Sequence, residues 1–206
     1  MRLPGPFRVS VVCEGVTDLP LLEAVIKHSL GAGVLVTGIQ PPQDADDSPA
    51  GDTQVEAWCK RWAHAIQWLP STDLLVVHLD GDRQARYDAS DAKGLCDVVK
   101  GWLDPALRLA SPDIVIVLPA QATDLWLYGA LFDDISPQDE QRNHPEDRLA
   151  DKGVLKRHPD GKVRKDPSVY RAHAGKLHDR VPTLRRIYPE LDRFAGKLEA
   201  VRAKRA

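Results

Sequence analysis

Two short acidic motifs stand out by position: Glu14-Gly15 and Asp80-Gly81-Asp82. Each follows directly on an apolar run, Phe7-Arg8-Val9-Ser10-Val11-Val12-Cys13 and Leu74-Leu75-Val76-Val77-His78-Leu79. Short runs rich in β-branched residues predict buried strands. In an open α/β sheet the carboxyl ends of neighbouring strands line the ligand crevice. If these two strands are neighbours, three carboxylates meet at one sheet edge. They repel unless protonated or sharing a cation. A hard ion such as Mg2+ (or Mn2+), held by carboxylates, waters and a phosphate, relieves that repulsion. Glu14, Asp80 and Asp82 are therefore the candidate metal ligands and catalytic groups. Asp80 and Asp82 lie on opposite sides of an extended chain, so both reach one site only if the backbone turns at Gly81.

The elements that must position these groups can be read from the apolar pattern. Gly15-Val16-Thr17-Asp18 predicts a turn, with Thr17 or Asp18 capping a helix. Leu19, Leu22, Val25, Ile26 and Leu30 share one face of that helix, and Gly31-Ala32-Gly33 ends it. A second strand spans 34–37, a polar loop 41–52, and a second helix carries Val55, Trp58, Cys59, Trp62, Ile66 and Leu69. The strand at 74–79 is followed by a polar segment and a third helix burying Leu95, Val98, Val99, Trp102 and Leu103. Residues 114–118 read as the fourth strand, and 122–132 as a helix opening at Thr123-Asp124. This alternation implies an α/β domain over residues 1–133, a Rossmann-like parallel sheet of about four strands. Residues 134–167 break the pattern and read as a basic loop region, either functional or ordered by a partner. Residues 168–206 return to helix as a basic C-terminal helical extension, interrupted near Pro182 and Pro189. Its apolar side carries Leu177, Leu184, Ile187, Leu191, Phe194 and Leu198.

The composition, 43% hydrophobic and 28% charged over 206 residues, fits a globular protein. No apolar stretch approaches membrane-spanning length, and the first residues lack a secretion signal. Cys13, Cys59 and Cys96 show neither CxxC nor zinc spacing, which fits buried thiols in a reducing cytoplasm. The net charge of −2 hides a division. Residues 152–206 hold 16 Lys/Arg against 6 Asp/Glu, or +10, and the remainder holds 12 against 24, or −12. The densest basic run is Lys152, Lys156, Arg157, Lys162, Arg164 and Lys165. It either grips nucleic-acid phosphates beside the pocket or neutralises the acidic body by packing on it. The seven histidines show no HxxxH or HExxH spacing, and none is assigned to a metal.

The order Glu14-Gly15-Val16-Thr17-Asp18, a βα unit, then Asp80-Gly81-Asp82 resembles the TOPRIM fold of topoisomerases, DnaG-type primases and OLD-family nucleases. The resemblance covers roughly residues 7–120. The segment Leu118-Pro119-Ala120-Gln121-Ala122-Thr123-Asp124-Leu125-Trp126-Leu127 is similar to one in small stand-alone, RloG-like TOPRIM proteins, although Thr123 stands where that group often has an acidic residue. The resemblance implies a Mg2+-dependent nuclease with Glu14, Asp80 and Asp82 at its centre. It adds Asp18 and Asp124 as further metal ligands, against the plain reading of each as a helix cap. OLD-type proteins join this domain to an ATPase, and this sequence contains no GxxxxGK[ST]. A separate ATPase subunit in an anti-phage defence system is thus implied, with DNA the expected substrate. A rival expectation is a non-catalytic TOPRIM module binding a protein partner or nucleotide. A sugar-nucleotide transferase leaves Glu14-Gly15 unexplained, and a phosphatase with Asp80 as nucleophile does not suit Arg83.

Overall fold

The computed structural model describes residues 6–40, 51–61, 72–103, 113–141 and 144–205. Strands β1 (Arg8–Val12), β2 (Leu35–Gln40), β3 (Leu74–His78) and β4 (Asp113–Val117) form one parallel sheet in the order β2-β1-β3-β4. The α/β class and the four parallel strands are as expected. Trp62, Ile66, Leu69 and most of the 41–52 loop lie outside the described residues. The chain leaves β1 toward β2 on one side and reaches β3 on the other. The sheet order therefore switches direction between β1 and β3, where open α/β sheets form their crevice.

Between the strands run α1 (Asp18–Leu30), α2 (Asp52–Lys60), α3 (Ala92–Trp102) and, after β4, α4 (Asp124–Leu131). Side chains alternate along each strand and feed two cores. Val9, Val11, Leu74, Val76, Val115 and Val117 pack with Leu21, Val25 and Ile26 of α1 and with α4. Val12, Leu75, Val77 and Ile116 pack with Val55 and Cys59 of α2 and with Leu95, Val99 and Trp102 of α3. Because both faces are covered, β3 reads as a continuous apolar run. His78 is its one ionisable exception.

Residues 134–167 are more ordered than the composition suggests. They contain α5 (Pro145–Asp151) and a small antiparallel hairpin, β5 (Lys156–Arg157) with β6 (Val163–Arg164). Leu149 and Leu155 anchor this region in the first core, with Ile135, Ala150, Val154 and Val163 partly buried against it, at spacings that form no helical or strand periodicity. The last helices are α6 (Pro167–Leu184) and α7 (Pro189–Ala203). The break expected near Pro182 falls two residues beyond it, where α6 ends at Leu184, with Pro182 itself in the last turn. Pro189 opens α7 instead, a position where its missing N–H goes unused.

The two helices pack on α1, α4 and β4. Leu177, Val181, Leu184, Leu191, Phe194 and Leu198 are all buried in the same core as the strands. At about 1.5–3 kcal/mol per buried side chain, these six contribute on the order of 9–18 kcal/mol. That matches or exceeds the net stability of an ordinary domain, about 5–15 kcal/mol. The C-terminal helices therefore belong to the core that holds the sheet. No described helix is long and apolar enough to cross a membrane.

Candidate metal centre

The site is built at the ends of β1 and β3. Val12 and Val77 are register partners, so the residues that follow each strand emerge side by side. Glu14 is buried, and its Oε1 accepts a hydrogen bond of 2.6 Å from the Asp80 backbone N–H. The two motifs, 66 residues apart, are thus locked together by one bond. On the other side of Glu14, Arg83 brings Nε and Nη2 each to 3.4 Å from Oε2.

Asp18 opens α1 and faces the same point. Thr17 occupies the cap position without a side-chain capping bond. Instead Asp18 Oδ2 accepts from the Gly15 N–H at 2.8 Å, closing the turn after Glu14. Its other oxygen accepts from the Thr123 hydroxyl at 2.6 Å, across 105 residues. Thr123 in turn precedes α4 and does not cap it. The Thr123 hydroxyl fixes Asp18 where the resembling proteins often place an acid.

His78, not assigned by sequence reasoning, completes the cluster. It lies on the α1 side of β3, fully buried, with Nε2 3.3 Å from Asp80 Oδ1 and Nδ1 3.9 Å from Asp18 Oδ2. The signal was present in the sequence: an ionisable residue inside an apolar strand, two positions before Asp80 and so on its face. Asp18, His78 and Asp80 each offer a ligand atom, and these atoms lie within 4.8 Å of one another. Around an octahedral ion with bonds of about 2.1 Å, neighbouring ligand atoms are about 3 Å apart and opposite ones about 4.2 Å. Among the described residues, neither His78 nitrogen nor Asp80 Oδ1 makes a well-aligned hydrogen bond, although Nε2 and Oδ1 lie 3.3 Å apart and interact as an ion pair. Two carboxylates and an imidazole, drawn together this closely, fit a divalent cation once the imidazole gives up its proton.

The electrostatics report the same crowding. Burial pushes the Asp80 carboxyl up to about 7, against the pull of His78 and with the help of the Asp18 and Glu14 charges. Burial likewise raises Glu14, although His78, the Asp80 N–H and Arg83 oppose it. Burial alone would lower His78, but Asp18, Asp80 and Glu14 together drive it up to about 9. Cys13 lies in the same field, and burial and the three carboxylates keep its thiol protonated.

Gly81 is required by close approach. A Cβ there would stand 2.1 Å from the Pro119 carbonyl oxygen and 2.5 Å from that of Ala120. The chain then turns into a 3-10 segment, Gly81–Tyr87, which carries Asp82 away from the cluster. Asp82 is half-exposed, with Oδ1 3.3 Å from Arg83 Nε. Arg86 and the Tyr87 hydroxyl both bond the buried Asp52, fastening this segment to α2.

Asp124 is placed differently from the other acids. It is buried, accepts from Lys165 Nζ at 2.7 Å, and accepts a short hydrogen bond from the Tyr170 hydroxyl. Both carboxylate oxygens are engaged, so Asp124 ties the hairpin and α6 to the start of α4. Lys165 is thereby a structural cation. Lys152 pairs with Asp134 at 3.0 Å, Arg157 with Asp147 and Asp151, and Lys162 with Asp160 at 3.7 Å. Lys156 and Arg164 are different: they pair across the hairpin, exposed, and neither forms a salt bridge among the described residues, although the Arg164 charge acts on Asp166.

Comparisons with family models, with curated proteins and with solved structures found no match to this chain.

Proposed function

We propose that this protein is a divalent-metal-dependent nuclease of TOPRIM type, cleaving nucleic-acid phosphodiesters. The observation that carries the reading is the convergence of Asp18, His78 and Asp80 at the β1/β3 switch point, with Glu14 bonded to the Asp80 N–H and, among the described residues, no aligned hydrogen bond to His78 or Asp80 Oδ1. Asp80, Asp18 and Glu14 would hold Mg2+ or Mn2+. The ion supplies positive charge that activates water and offsets charge developing on the phosphodiester. Glu14, raised by burial and fixed by the Asp80 N–H, is poised to accept a proton. Arg83, half-exposed and paired with Glu14 and Asp82, would offer its charge to a phosphate entering the site.

The hairpin supports a polyanionic substrate. Like charges placed opposite each other on a strand pair are destabilising by about 0.2–1 kcal/mol. Lys156 and Arg164 retain that arrangement, which a phosphate backbone would relieve. Lys165 holds the hairpin against Asp124, next to the Thr123 that fixes Asp18. The likeness to OLD-family proteins extends the reading to a separate ATPase subunit acting in phage defence.

Plasmid nicking by purified protein with Mg2+ or Mn2+, beside an Asp80→Ala/Asp82→Ala twin, tests the assignment. Metal-dependent cutting by the wild type alone is expected. Equal cutting by both proteins would remove these carboxylates from the chemistry. If neither cuts, with or without an added ATPase partner, the chain is a binding module.

A further inference from the structure

His78 poses a question that the nuclease reading leaves open. The position belongs to a strand whose other residues are leucine and valine, and it faces a core that an aliphatic side chain would fill. Instead it holds an imidazole with no exposure and two nitrogens lacking an aligned hydrogen bond among the described residues. Each buried polar group left in that condition costs about 1–3 kcal/mol. Nε2 lies near Asp80 Oδ1, but the pair is not aligned as a hydrogen bond. Asp80 Oδ1 equally lacks an aligned hydrogen bond, while Asp18 is held in place by the Gly15 N–H and the Thr123 hydroxyl. A carboxylate held by two hydrogen bonds beside a buried imidazole that lacks an aligned one is the pattern of a preformed metal site, open to an ion once the imidazole gives up its proton.

The nitrogen narrows the choice of ion. Mg2+ takes oxygen ligands and keeps much of its water. Imidazole suits first-row transition ions, whose affinity for mixed nitrogen and oxygen sites rises along the series from Mn2+. We propose that His78 is a direct ligand, with Asp18 and Asp80, so that the site selects a first-row transition ion such as Mn2+ over Mg2+. The assignment rests on the metal-dependent reading only in requiring that an ion binds here.

The test uses the full chain, stripped with a chelator and loaded with Mn2+. Pulsed electron paramagnetic resonance detects a directly bound 14N, and titration against Mg2+ measures the preference. A nitrogen coupling is expected in the wild type, with Mn2+ bound more tightly than Mg2+. His78→Gln should lose the coupling and most of the preference. Should that variant fail to fold, the wild-type spectrum decides alone. Mn2+ bound without nitrogen coupling, equal or tighter binding of Mg2+, or no ion binding at all would overturn the assignment. A nitrogen-coupled ion in a protein that never cuts nucleic acid would sink the nuclease reading and leave His78 as a ligand. Cutting with Mg2+ and no nitrogen coupling would do the reverse.

Discussion

Asp80 and Asp124 are both largely buried, both feel the charge of Asp18, and burial raises both above the ordinary carboxylate range. Asp124 is met by an ammonium and a phenol, one on each oxygen. Asp80 is met by an imidazole that does not align, and one of its oxygens has no aligned hydrogen bond. The same residue type is saturated where it is fully buried, at Asp124, and left unsatisfied at Asp80, which keeps a little exposure. Saturation marks a structural joint, here between the hairpin, α6 and α4. The unsatisfied group marks a place where something outside the protein is to complete the set, since burying a charge without compensation is costly.

The comparison is broken most severely by equivalent substitutions at the two acids. Asp80→Asn should cut ion affinity and ion-dependent cleavage on the order of a hundredfold or more. It should also raise the melting temperature of the ion-free protein at neutral pH, because burial opposes the Asp80 charge more strongly than His78 offsets it. Asp124→Asn should have the opposite signature. Loss of a buried partner costs about 3–5 kcal/mol, reduced to about 2–3 here because Lys165 is partly exposed. Urea denaturation with and without Mn2+ separates the two, and a stabilised Asp124→Asn would erase the distinction.

pH sharpens the contrast. His78 binds its proton more tightly when folded, so its contribution is full below about 6.5 and is lost as pH rises through about 9. Asp80, raised from 3.8 to about 7, likewise favours the folded state while protonated and loses that contribution through pH 7. Both act in one direction, so ion-free protein should lose thermal stability steadily between pH 5 and 9. Saturating Mn2+ should flatten the decline. Stability that rises with pH over this window would show the cluster to be balanced already.

The smallest effect expected is that of Thr123→Val. It removes one hydrogen bond to Asp18, about 1 kcal/mol or somewhat more because the acceptor is charged. Ion affinity should fall with it, by severalfold in a calorimetric titration. A loss of stability with unchanged affinity would make Thr123 a support for α4 alone.

The sequence by itself determined the four strands and their parallel α/β setting, and placed Glu14 and Asp80 just past strand ends. Each rests on local information: runs of β-branched residues, helical spacing between them, and acids placed just past strand ends. Tertiary structure alone decided which acids share a point. Asp18 and Asp124 look alike in sequence, each following a threonine at the start of a helix. Yet Thr123 bonds Asp18 across 105 residues, and Asp124 meets Tyr170 across 46. The ordering of residues 134–167 was hidden because Leu149 and Leu155 reach a core supplied by distant elements. His78 gave a local hint, but its role depends on α1 lying across that face of β3. Propensity and periodicity act over a few residues, whereas charge compensation depends on distance in space, which only the packed chain fixes.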